Sequence, residues 1–296
     1  MTPLADAARH LAPVSDTPLL DAELLLAYAL GIEREQLLLK PPADIPAEFD
    51  ALLARRLSGE PIAYIIGKRA FWTIELEVTP DVLIPRPDSE TLMDAAVAHF
   101  RGSPGPKRIL DLGTGSGALL LAALDQWPDA TGIGIDNSPA ALAIAQRNAD
   151  SLGMTDRTDL RLGDWADGIT ENFDLVLCNP PYVATSALLG PGVAEHEPHE
   201  ALFAGADGLD ALRRLGPQLP PLLAASGLAA VEIGYDQAGS AAALLADCGL
   251  SASLARDLAG RPRALLLTMA LNEIAWHSPN AALHHRAGSG PLHRQS

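Results

Sequence analysis

From residue 108 onward, short apolar runs alternate with helix-length segments, and this alternation constrains the fold more than any other feature of the sequence. The apolar runs, each about as long as a single strand, are 109–112, 132–135, 159–162, 173–178, 228–233, 251–255 and 264–269. Segments 118–126 and 139–152 have the length and composition of intervening helices. Because a parallel sheet that is buried on both faces tolerates continuous apolar strands, the pattern predicts an α/β fold around a mostly parallel seven-stranded sheet.

The first 69 residues have a different pattern, which predicts a small helical domain. Thr17 and Pro18 form an N-cap and first-turn pair for a leucine-rich helix that ends at Gly31, and Pro46 opens a second helix that ends at Gly59. Near-alternation of aromatic and aliphatic residues then predicts a β-hairpin, which a proline-rich connector follows. The predicted units are, in chain order, a helical domain over 1–69, a hairpin and connector over 70–87, a sheet domain over 88–272 and a disordered, histidine-rich tail over 273–296.

Gly113, Thr114, Gly115, Ser116 and Gly117 form a glycine-rich turn directly after the first predicted core strand. Glycines in such a turn let the backbone bend sharply and let a ligand approach the backbone N–H groups. The spacing resembles the adenosylmethionine version of the nucleotide turn more than the G-x-G-x-x-G of dinucleotide enzymes, and the lysine of a P-loop is absent. Because glycine-rich turns also arise for structural reasons alone, this turn by itself leaves both interpretations open.

Two side chains at the ends of neighbouring predicted strands extend the nucleotide interpretation. Asp136 follows the second core strand, where a carboxylate can accept hydrogen bonds from both ribose hydroxyls of an adenosine-bearing cofactor. Trp165 follows the third core strand and offers a face on which adenine can stack. Each has a structural alternative, since Asp136 can cap the helix that begins near Ser138 and Trp165 can pack under a loop.

Asn179, Pro180, Pro181 and Tyr182 follow the fourth core strand and carry the most specific signal in the chain. Two successive prolines supply carbonyl groups without N–H groups and favour extended geometry in the residues before them. The segment therefore presents two acceptors, the Asn179 side-chain oxygen and the Pro180 carbonyl, which match the two donors of a planar –NH2 group. Tyr182 adds a ring that can stack on such a group. A rigid turn after a strand is the structural alternative.

Together with the glycine-rich turn and Asp136, this tetrapeptide resembles the class I adenosylmethionine-dependent methyltransferases that act on a planar nitrogen. Further segments resemble a narrower family, the protein-(glutamine-N5) methyltransferases that modify peptide chain release factors. These segments are 82–90, 196–198, 205–209, 231–234 and 257–263, within a likeness that spans residues 17–270. One departure is Ser89, where the family more often has threonine, and both residues carry a hydroxyl.

The resemblance implies a Rossmann-like class I methyltransferase fold, S-adenosyl-L-methionine as the cofactor, and 88–272 as the cofactor-binding catalytic domain. The residues it implies in catalysis are Asn179, Pro180, Pro181 and Tyr182. Those it implies in cofactor binding are Gly113, Thr114, Gly115, Ser116, Gly117, Asp136, Trp165 and Asn179. It also implies the substrate, the glutamine of the Gly-Gly-Gln motif in class 1 release factors, with the N-terminal helical domain holding that partner.

The predicted chemistry follows from the weakness of an amide as a nucleophile. Its nitrogen lone pair is delocalised into the carbonyl group. If the Asn179 oxygen and the Pro180 carbonyl accept both N–H groups, they favour positive charge on that nitrogen and aim it at the sulfonium methyl. The sequence therefore predicts transfer without a general base, and the proton leaves after the methyl group has been transferred.

Three other functions stay open at this stage. A sister enzyme of the same family would methylate a glutamine of a ribosomal protein, and the same acceptor pair would serve adenine-N6 methylation of nucleic acid. A catalytically silent cofactor-binding module is the third. The formal net charge of −16 at pH 7 and the lack of a basic recognition segment argue against a nucleic-acid substrate, which needs a basic groove.

The remaining sequence features define the setting. Cys178 and Cys248 lie far apart without metal-ligand spacing, which indicates a reducing compartment. Neither a signal peptide nor an apolar stretch of membrane length is visible. We therefore predict a cytoplasmic monomer that contacts neither membrane nor nucleic acid directly.

Two clusters of charged or ligating residues are interpreted as structural. His196 and His199 have the spacing of a metal pair, but they lie in a proline-containing acidic loop without a third ligand, so we predict no metal site. Arg86 and Glu90 are expected to form an ion pair, which either closes the entrance of the site or, as we favour, anchors the connector.

Overall fold

The computed structural model describes residues 3–40, 42, 44–190 and 192–270 of the chain. The tail predicted over 273–296 lies outside the described residues. Within them, no helix combines the length and apolar character that a membrane span requires.

The amino-terminal region is helical, as the sequence indicates. Its helices are α1 (Pro3–Leu11), α2 (Pro18–Leu30), α3 (Arg34–Leu39), α4 (Glu48–Leu57) and α5 (Ile62–Ile66). Leu11 of α1, Leu25 and Leu26 of α2, Leu37 of α3 and Phe49 of α4 are buried together in a cluster of their own. Burial of these side chains holds the short helices together, because helices of this length have little stability in isolation.

The ends of α2 show which sequence signals are used. Pro18 occupies its first turn, and Gly31 ends it in the left-handed conformation with a φ of 64°. Thr17 is the N-cap residue, as predicted, but its side chain makes no cap hydrogen bond, and its hydroxyl donates to Asp21 Oδ1 at 3.3 Å instead. Asp21 Oδ2 also accepts from Arg56 Nε of α4 at 2.8 Å. This buried carboxylate thus joins the start of α2 to α4.

The predicted hairpin is present and begins two residues earlier than expected, with β1 (Lys68–Phe71) antiparallel to β2 (Ile74–Glu77). Asn148 fixes its position. The Asn148 Oδ1 accepts from the Glu77 N–H at 2.7 Å, and its Nδ2 donates to the Glu77 carbonyl at 3.0 Å and to the Ser116 carbonyl at 2.9 Å. One buried amide therefore ties the hairpin to the glycine-rich turn.

The main sheet has seven strands in the described part of the chain. They are β3 (Arg108–Leu112), β4 (Thr131–Asp136), β5 (Thr158–Leu162), β6 (Phe173–Cys178), β7 (Leu223–Glu232), β8 (Leu250–Arg256) and β9 (Pro262–Met269). The helices around it are α6 (Glu90–His99), α7 (Ala118–Gln126), α8 (Pro139–Ser151), α9 (Val193–His196), α10 (Asp210–Leu215) and α11 (Ala238–Ala246). The strand order is β5-β4-β3-β6-β7-β9-β8, and β9 alone runs antiparallel to the other six strands. This confirms the predicted mostly parallel sheet.

Central strand β3 shows how the layers pack. Ile109 contacts the cluster that contains Leu92 of α6 and Leu120 of α7, whereas Leu110 belongs to the cluster that contains Leu212 of α10 and Leu245 of α11. Successive residues of a strand point to opposite faces of the sheet. The core therefore lies on both faces of the sheet, which explains the continuous apolar strands.

Strand β7 and the last three helices differ from the prediction. β7 begins at Leu223 rather than at residue 228, because Phe173 pairs with Leu223 while Leu175 pairs with Leu228, so that the chain bulges between these pairs. Helices α9 and α10 were not predicted, and four or six residues are too few to establish a helical period. Helix α11, rich in alanine, lacks the polar stripe that would have revealed it.

Gly227 lies in this bulge and offers a test of the packing. A Cβ at Gly227 would lie 2.8 Å from the Phe173 carbonyl oxygen and 3.0 Å from the Ala224 nitrogen. We expect Gly227→Ala to lower the free energy of unfolding by about 1–3 kcal/mol, as overpacking does, measured by urea denaturation. The control is Gly239→Ala in α11, where a Cβ meets nothing within 4 Å and should stabilise the protein slightly. Equal stabilities for the two variants would contradict this account of the bulge.

Candidate active site

A cavity of about 480 Å³ opens where β3, β4 and β6 end. The predicted site residues that line it are Gly113, Thr114, Gly115, Ser116, Asp136, Trp165, Asn179 and Pro181. The other predicted residues, Gly117, Pro180 and Tyr182, lie outside the lining. Ligands of open α/β sheets bind at the carboxyl ends of the strands, so the cavity lies where this architecture places a ligand.

Backbone hydrogen bonds hold the glycine-rich turn against β4. The N–H groups of Gly113 and Thr114 both donate to the Ile135 carbonyl at 2.9 Å. Gly113 and Gly115 have φ values of 73° and 55°, which side chains rarely allow. Gly117, at φ 83°, begins α7, and a Cβ there would lie 3.0 Å from Leu121, so this glycine shapes the turn without lining the cavity.

Asp136 connects the turn to the helix that follows β4. Its Oδ2 accepts from the Gly115 N–H at 2.8 Å and its Oδ1 from the Ser138 N–H at 2.9 Å. The N-cap of α8 is Ser138 itself, whose hydroxyl oxygen accepts from the Ala141 N–H at 3.2 Å. Because each carboxylate oxygen has two lone pairs, Asp136 keeps acceptor capacity toward the cavity.

Asp111, which the sequence analysis did not single out, is a buried carboxyl in the cavity wall, 1% exposed. Its Oδ2 accepts from the Thr114 hydroxyl at 2.7 Å, whereas its Oδ1 has no partner among the described residues. Burial raises the pKa of Asp111 to about 7, against the bond from Thr114. The signal was its place two residues before Gly113, inside a run that was interpreted only from its glycines.

Asn179 lies at the end of β6 and faces both the cavity and α6. Its Nδ2 donates to the Ser89 hydroxyl oxygen at 3.1 Å. This contact leaves the Asn179 Oδ1 as an acceptor for a ligand in the cavity. Ser89 lies just before α6, and no local pattern in the sequence links it to Asn179, because the two residues are 90 positions apart.

The segment after Asn179 is held from two sides. The Val183 N–H donates to the Leu202 carbonyl at 2.9 Å, and Gln237 Nε2 donates to the carbonyls of Tyr182 at 3.0 Å and Gly208 at 3.2 Å. Gln237, 9% exposed, is a further residue that the sequence analysis missed. These contacts fix the backbone that carries the two prolines.

The two aromatic residues of the predicted site occupy different environments. Trp165 has a φ of 53° and lines the cavity next to Gly113, where a Cβ would lie 3.8 Å from the Trp165 ring. Burial raises the pKa of the Tyr182 phenol, and the carboxyl of Glu232 raises it further. Trp165 is thus placed to stack on a ligand, whereas Tyr182 packs behind the cavity.

The ion pair predicted between Arg86 and Glu90 is wrong. Arg86 pairs with Glu197, whose side chain is 1% exposed and whose Oε2 also accepts from the Ile84 N–H at 3.2 Å. Glu90 instead accepts from the Trp72 N–H at 3.0 Å. The buried Glu197 carboxylate therefore ties the loop after the tetrapeptide to the connector, so both charged groups are structural but with other partners.

The histidines of this loop do not gather metal ligands. His199 makes a hydrogen bond with the Ala194 carbonyl at 2.7 Å. Over the part of the chain that the structure describes, no group of three or more histidine, cysteine, aspartate or glutamate side chains could hold a metal ion.

Comparison with known proteins adds independent information. A family model described as the PrmC N-terminal domain matches residues 3–67, and one described as a methyltransferase domain matches residues 105–205. A release factor glutamine methyltransferase of Rhodospirillum rubrum is 44% identical over 258 residues, which are 85% of this chain and 79% of the relative. One of Caulobacter vibrioides is 41% identical over 263 residues, 85% of this chain and 89% of the relative.

Among solved structures, a methyltransferase from Pyrococcus furiosus is similar in fold. It matches with a TM-score of 0.51 at 16% identity, over 74% of this chain and 98% of that chain. At this identity the likeness concerns the fold alone.

Proposed function

Because this chain belongs to the release factor glutamine methyltransferase family, we propose that it transfers a methyl group from S-adenosyl-L-methionine to N5 of the glutamine in the Gly-Gly-Gln motif of class 1 release factors. One observation carries the proposal. The cavity joins a nucleotide-type turn to Asn179, whose Nδ2 is engaged by Ser89 and whose Oδ1 is free to accept from an amide. Such a modification acts on translation termination, so the proposal includes the cytoplasm as the place of action.

The residues around the cavity fit the cofactor. S-adenosylmethionine carries an ammonium group, and the buried, unpartnered Asp111 Oδ1 is an acceptor of the kind that such a group requires. Asp136 would accept from the ribose hydroxyls, and Trp165 would stack on the adenine. When bound, the cofactor supplies an electrophilic sulfonium methyl group.

The acceptor side works by orientation. Asn179 Oδ1 would accept one N–H of the glutamine amide from the cavity wall. The carbonyl of Pro180, which lies beside the lining rather than in it, would accept the other, and together they would hold the nitrogen in place and favour the positive charge that develops on it. Pro181 and Phe203 add apolar groups to the cavity wall. No side chain is required to remove a proton before transfer, because the amide nitrogen becomes acidic once it has gained the methyl group.

The amino-terminal helices are the part of the chain that we propose to hold the release factor. Large apolar side chains lie exposed on them, and these are Leu19, Leu20, Tyr28, Leu38, Leu39 and Leu57. Contiguous apolar patches mark surfaces that contact other proteins, and we propose that these side chains contribute to such a patch. The proposal includes a monomeric enzyme that binds neither nucleic acid nor membrane directly.

Asp136→Ala separates cofactor binding from chemistry. We expect the Kd for S-adenosylmethionine to rise about 10- to 100-fold, since two hydrogen bonds to a charged group are lost, and the single-turnover rate at saturating cofactor to change much less. Isothermal titration calorimetry and rapid quench measure the two quantities. Asp129→Ala, at an exposed position outside the cavity lining, is the matched control. A normal Kd for Asp136→Ala would show that Asp136 only braces the turn.

The function is tested by methyl incorporation. The protein is incubated with S-adenosylmethionine and an unmodified bacterial class 1 release factor, and mass spectrometry is expected to find a gain of about 14 Da on the glutamine of the Gly-Gly-Gln motif. A release factor with glutamate at that position is the negative control. Parallel reactions with ribosomal proteins and with DNA and RNA oligonucleotides test the other acceptors. Methylation of one of these but not of the release factor would overturn the proposal.

A further inference from the structure

A buried carboxyl lies behind Asn179, and the chemistry above assigns it no role. Glu232 is the last residue of β7 and is 1% exposed. Neither of its oxygens has a hydrogen-bond partner among the described residues. The hydroxyls of Ser89 and Tyr182 are close enough to favour its ionised form, but neither meets the geometry of a hydrogen bond to it. A buried, unpartnered carboxyl is costly for stability, so a structural role alone accounts poorly for it.

Ser89 connects this carboxyl to the cavity. Ser89 is 3% exposed, and its Oγ accepts a hydrogen bond from Asn179 Nδ2 at 3.1 Å. A serine hydroxyl has one hydrogen to donate and two lone pairs with which to accept. Since one lone pair is taken by Asn179, the direction of the hydroxyl hydrogen decides which end of the Asn179 amide is held.

The chemistry of Glu232, Ser89 and Asn179 determines which of these groups donates its hydrogen to which. An ionised carboxylate can only accept hydrogen bonds. Next to an ionised Glu232, the Ser89 hydroxyl directs its hydrogen to the carboxylate and keeps its lone pairs for Asn179. The Asn179 amide must then present its NH2 to Ser89 and its oxygen to the cavity. The opposite orientation would place an NH2 group against the NH2 of the substrate amide and abolish the contact.

We infer that Glu232, acting through the Ser89 hydroxyl, is a positioning residue that keeps the Asn179 side-chain oxygen turned toward the acceptor nitrogen. This inference rests on the proposed function, because its acceptor nitrogen is the glutamine amide. It extends the site from Ser89, which lines the cavity, to Glu232 at the end of β7, which lies outside the cavity lining.

The charges around Glu232 make the arrangement sensitive to pH. Burial raises the pKa of Glu232 to about 7. The hydroxyls of Ser89 and Tyr182 and the guanidinium of Arg263 on β9 favour the ionised form, whereas the negative charge of Asp88 disfavours it. The guanidinium of Arg263 also forms an ion pair with Asp88, with 2.8 Å between its Nη2 and Asp88 Oδ2. The neighbouring Cys178 thiol stays neutral, because burial raises its pKa well above the ordinary value.

Protonation would release the Asn179 amide. A neutral Glu232 can donate its own hydrogen to Ser89, which frees the Ser89 hydroxyl to donate to Asn179 Oδ1. The amide then loses its preferred orientation. The folded-state pKa of about 7 places this change close to neutrality, so the fraction of correctly oriented Asn179 falls as the pH drops below that value.

The test is the single-turnover rate of release factor methylation against pH, at saturating cofactor and substrate. For the wild type, the rate is expected to rise as the pH increases through about 7. Glu232→Gln, which mimics the neutral carboxyl, should be slower than the wild type at high pH by about 3- to 10-fold and show no such rise, the loss expected for one hydrogen bond. Ser89→Ala should behave in the same way, whereas Ser89→Thr, which keeps the hydroxyl, should retain both the rate and the pH profile.

Matched controls separate this role from a change in stability. Glu75→Gln on β2 and Ser253→Ala on β8 alter exposed residues outside the cavity lining and should leave the profile unchanged. If Glu232 only stabilised the fold, Glu232→Gln would shift the thermal midpoint while its rate kept the wild-type pH profile. A wild-type rate that does not depend on pH near 7, or a Glu232→Gln profile parallel to it, would overturn the inference.

A second readout does not depend on the substrate. In protein labelled with 15N-asparagine, the Asn179 side-chain amide resonances should shift with a midpoint near pH 7 in the wild type and should not do so in Glu232→Gln. If the amide titrates but no release factor is methylated, the proposed function fails while the positioning device stands. If release factors are methylated but the amide does not titrate, the inference fails alone.

Discussion

Replacing Asn179 with alanine is expected to lower the single-turnover rate of methyl transfer by about 10²–10³-fold, the cost of deleting one preorganised partner for charge that develops in the transition state. The physical reason lies in the weak nucleophile. An amide nitrogen attacks only when its N–H groups are held by acceptors that favour positive charge on it, and the Asn179 Oδ1 is the side-chain acceptor that remains free at the end of β6. The rate is measured with labelled cofactor and a class 1 release factor, both at saturation.

Cofactor binding provides the internal comparison for this variant. The Kd for S-adenosylmethionine should change far less than the rate in Asn179→Ala, because Asp136, Asp111 and the glycine-rich turn are intact. Asn172→Ala is a matched control, since Asn172 is exposed and its Nδ2 donates to the Pro221 carbonyl away from the cavity. A near-normal rate for Asn179→Ala would mean that the tetrapeptide is only a turn.

The second large effect is expected at Asp111. Asp111→Asn keeps the shape of the side chain and an oxygen to accept from Thr114, but it removes the charge that we propose to pair with the cofactor ammonium group. Losing a buried, charge-assisted contact should raise the Kd for S-adenosylmethionine by about 10²-fold. Calorimetric titration at neutral pH measures this, with Asp94→Asn at an exposed site on α6 as the control. An unchanged Kd would remove Asp111 from the binding site.

The same variant should make the cofactor-free protein more stable. Burial raises the pKa of Asp111 from 3.8 in the unfolded chain to about 7 in the folded protein. A carboxyl with a raised folded-state pKa lowers the free energy of unfolding above that pKa, and this penalty disappears as the pH falls toward the unfolded value. Urea denaturation should therefore find Asp111→Asn more stable than the wild type above about pH 7, with the difference shrinking as the pH falls toward 3.8. A difference that grows in acid would contradict the assignment.

Opposite responses of affinity and stability in Asp111→Asn would identify Asp111 as a binding residue. A residue that served only the fold would lose stability when altered. At Asp111 the protein instead carries a destabilising charge whose benefit, in our proposal, appears when the cofactor is bound.

The strands of the sheet were predictable because the pattern that marks each of them lies within a single short segment of the sequence. Segment 173–178 was predicted with the bounds that β6 has, and helix 118–126 with those of α7. Apolar runs of this length read directly as buried strands, and their alternation with helices fixes the class of fold. The turn after Leu112 was recognisable for a similar reason, since its glycines are consecutive signals in a single segment.

The parts that escaped prediction depend on contacts between distant segments. Ser89 meets Asn179 across 90 positions, and Glu232 approaches Ser89 from the end of β7. The sequence offers Glu90 as a nearby partner for Arg86. Only the packing of the loop after the tetrapeptide shows that the partner is the distant Glu197. A single sequence shows which residues can donate or accept, but not which of them the fold brings together.

The glycine-rich turn follows β3, and the tetrapeptide that begins at Asn179 follows the adjacent strand β6. This arrangement has a consequence for how such enzymes diversify. Leu112 at the end of β3 is paired directly with Cys178 at the end of β6, so the separation of the two segments is inherited from the interstrand spacing of about 4.8 Å. The amino-terminal helices lie outside this pair of strands. Selection can therefore replace the surfaces that choose a substrate while the reaction geometry is transmitted unchanged, which makes substrate choice and chemistry separately heritable properties of this fold.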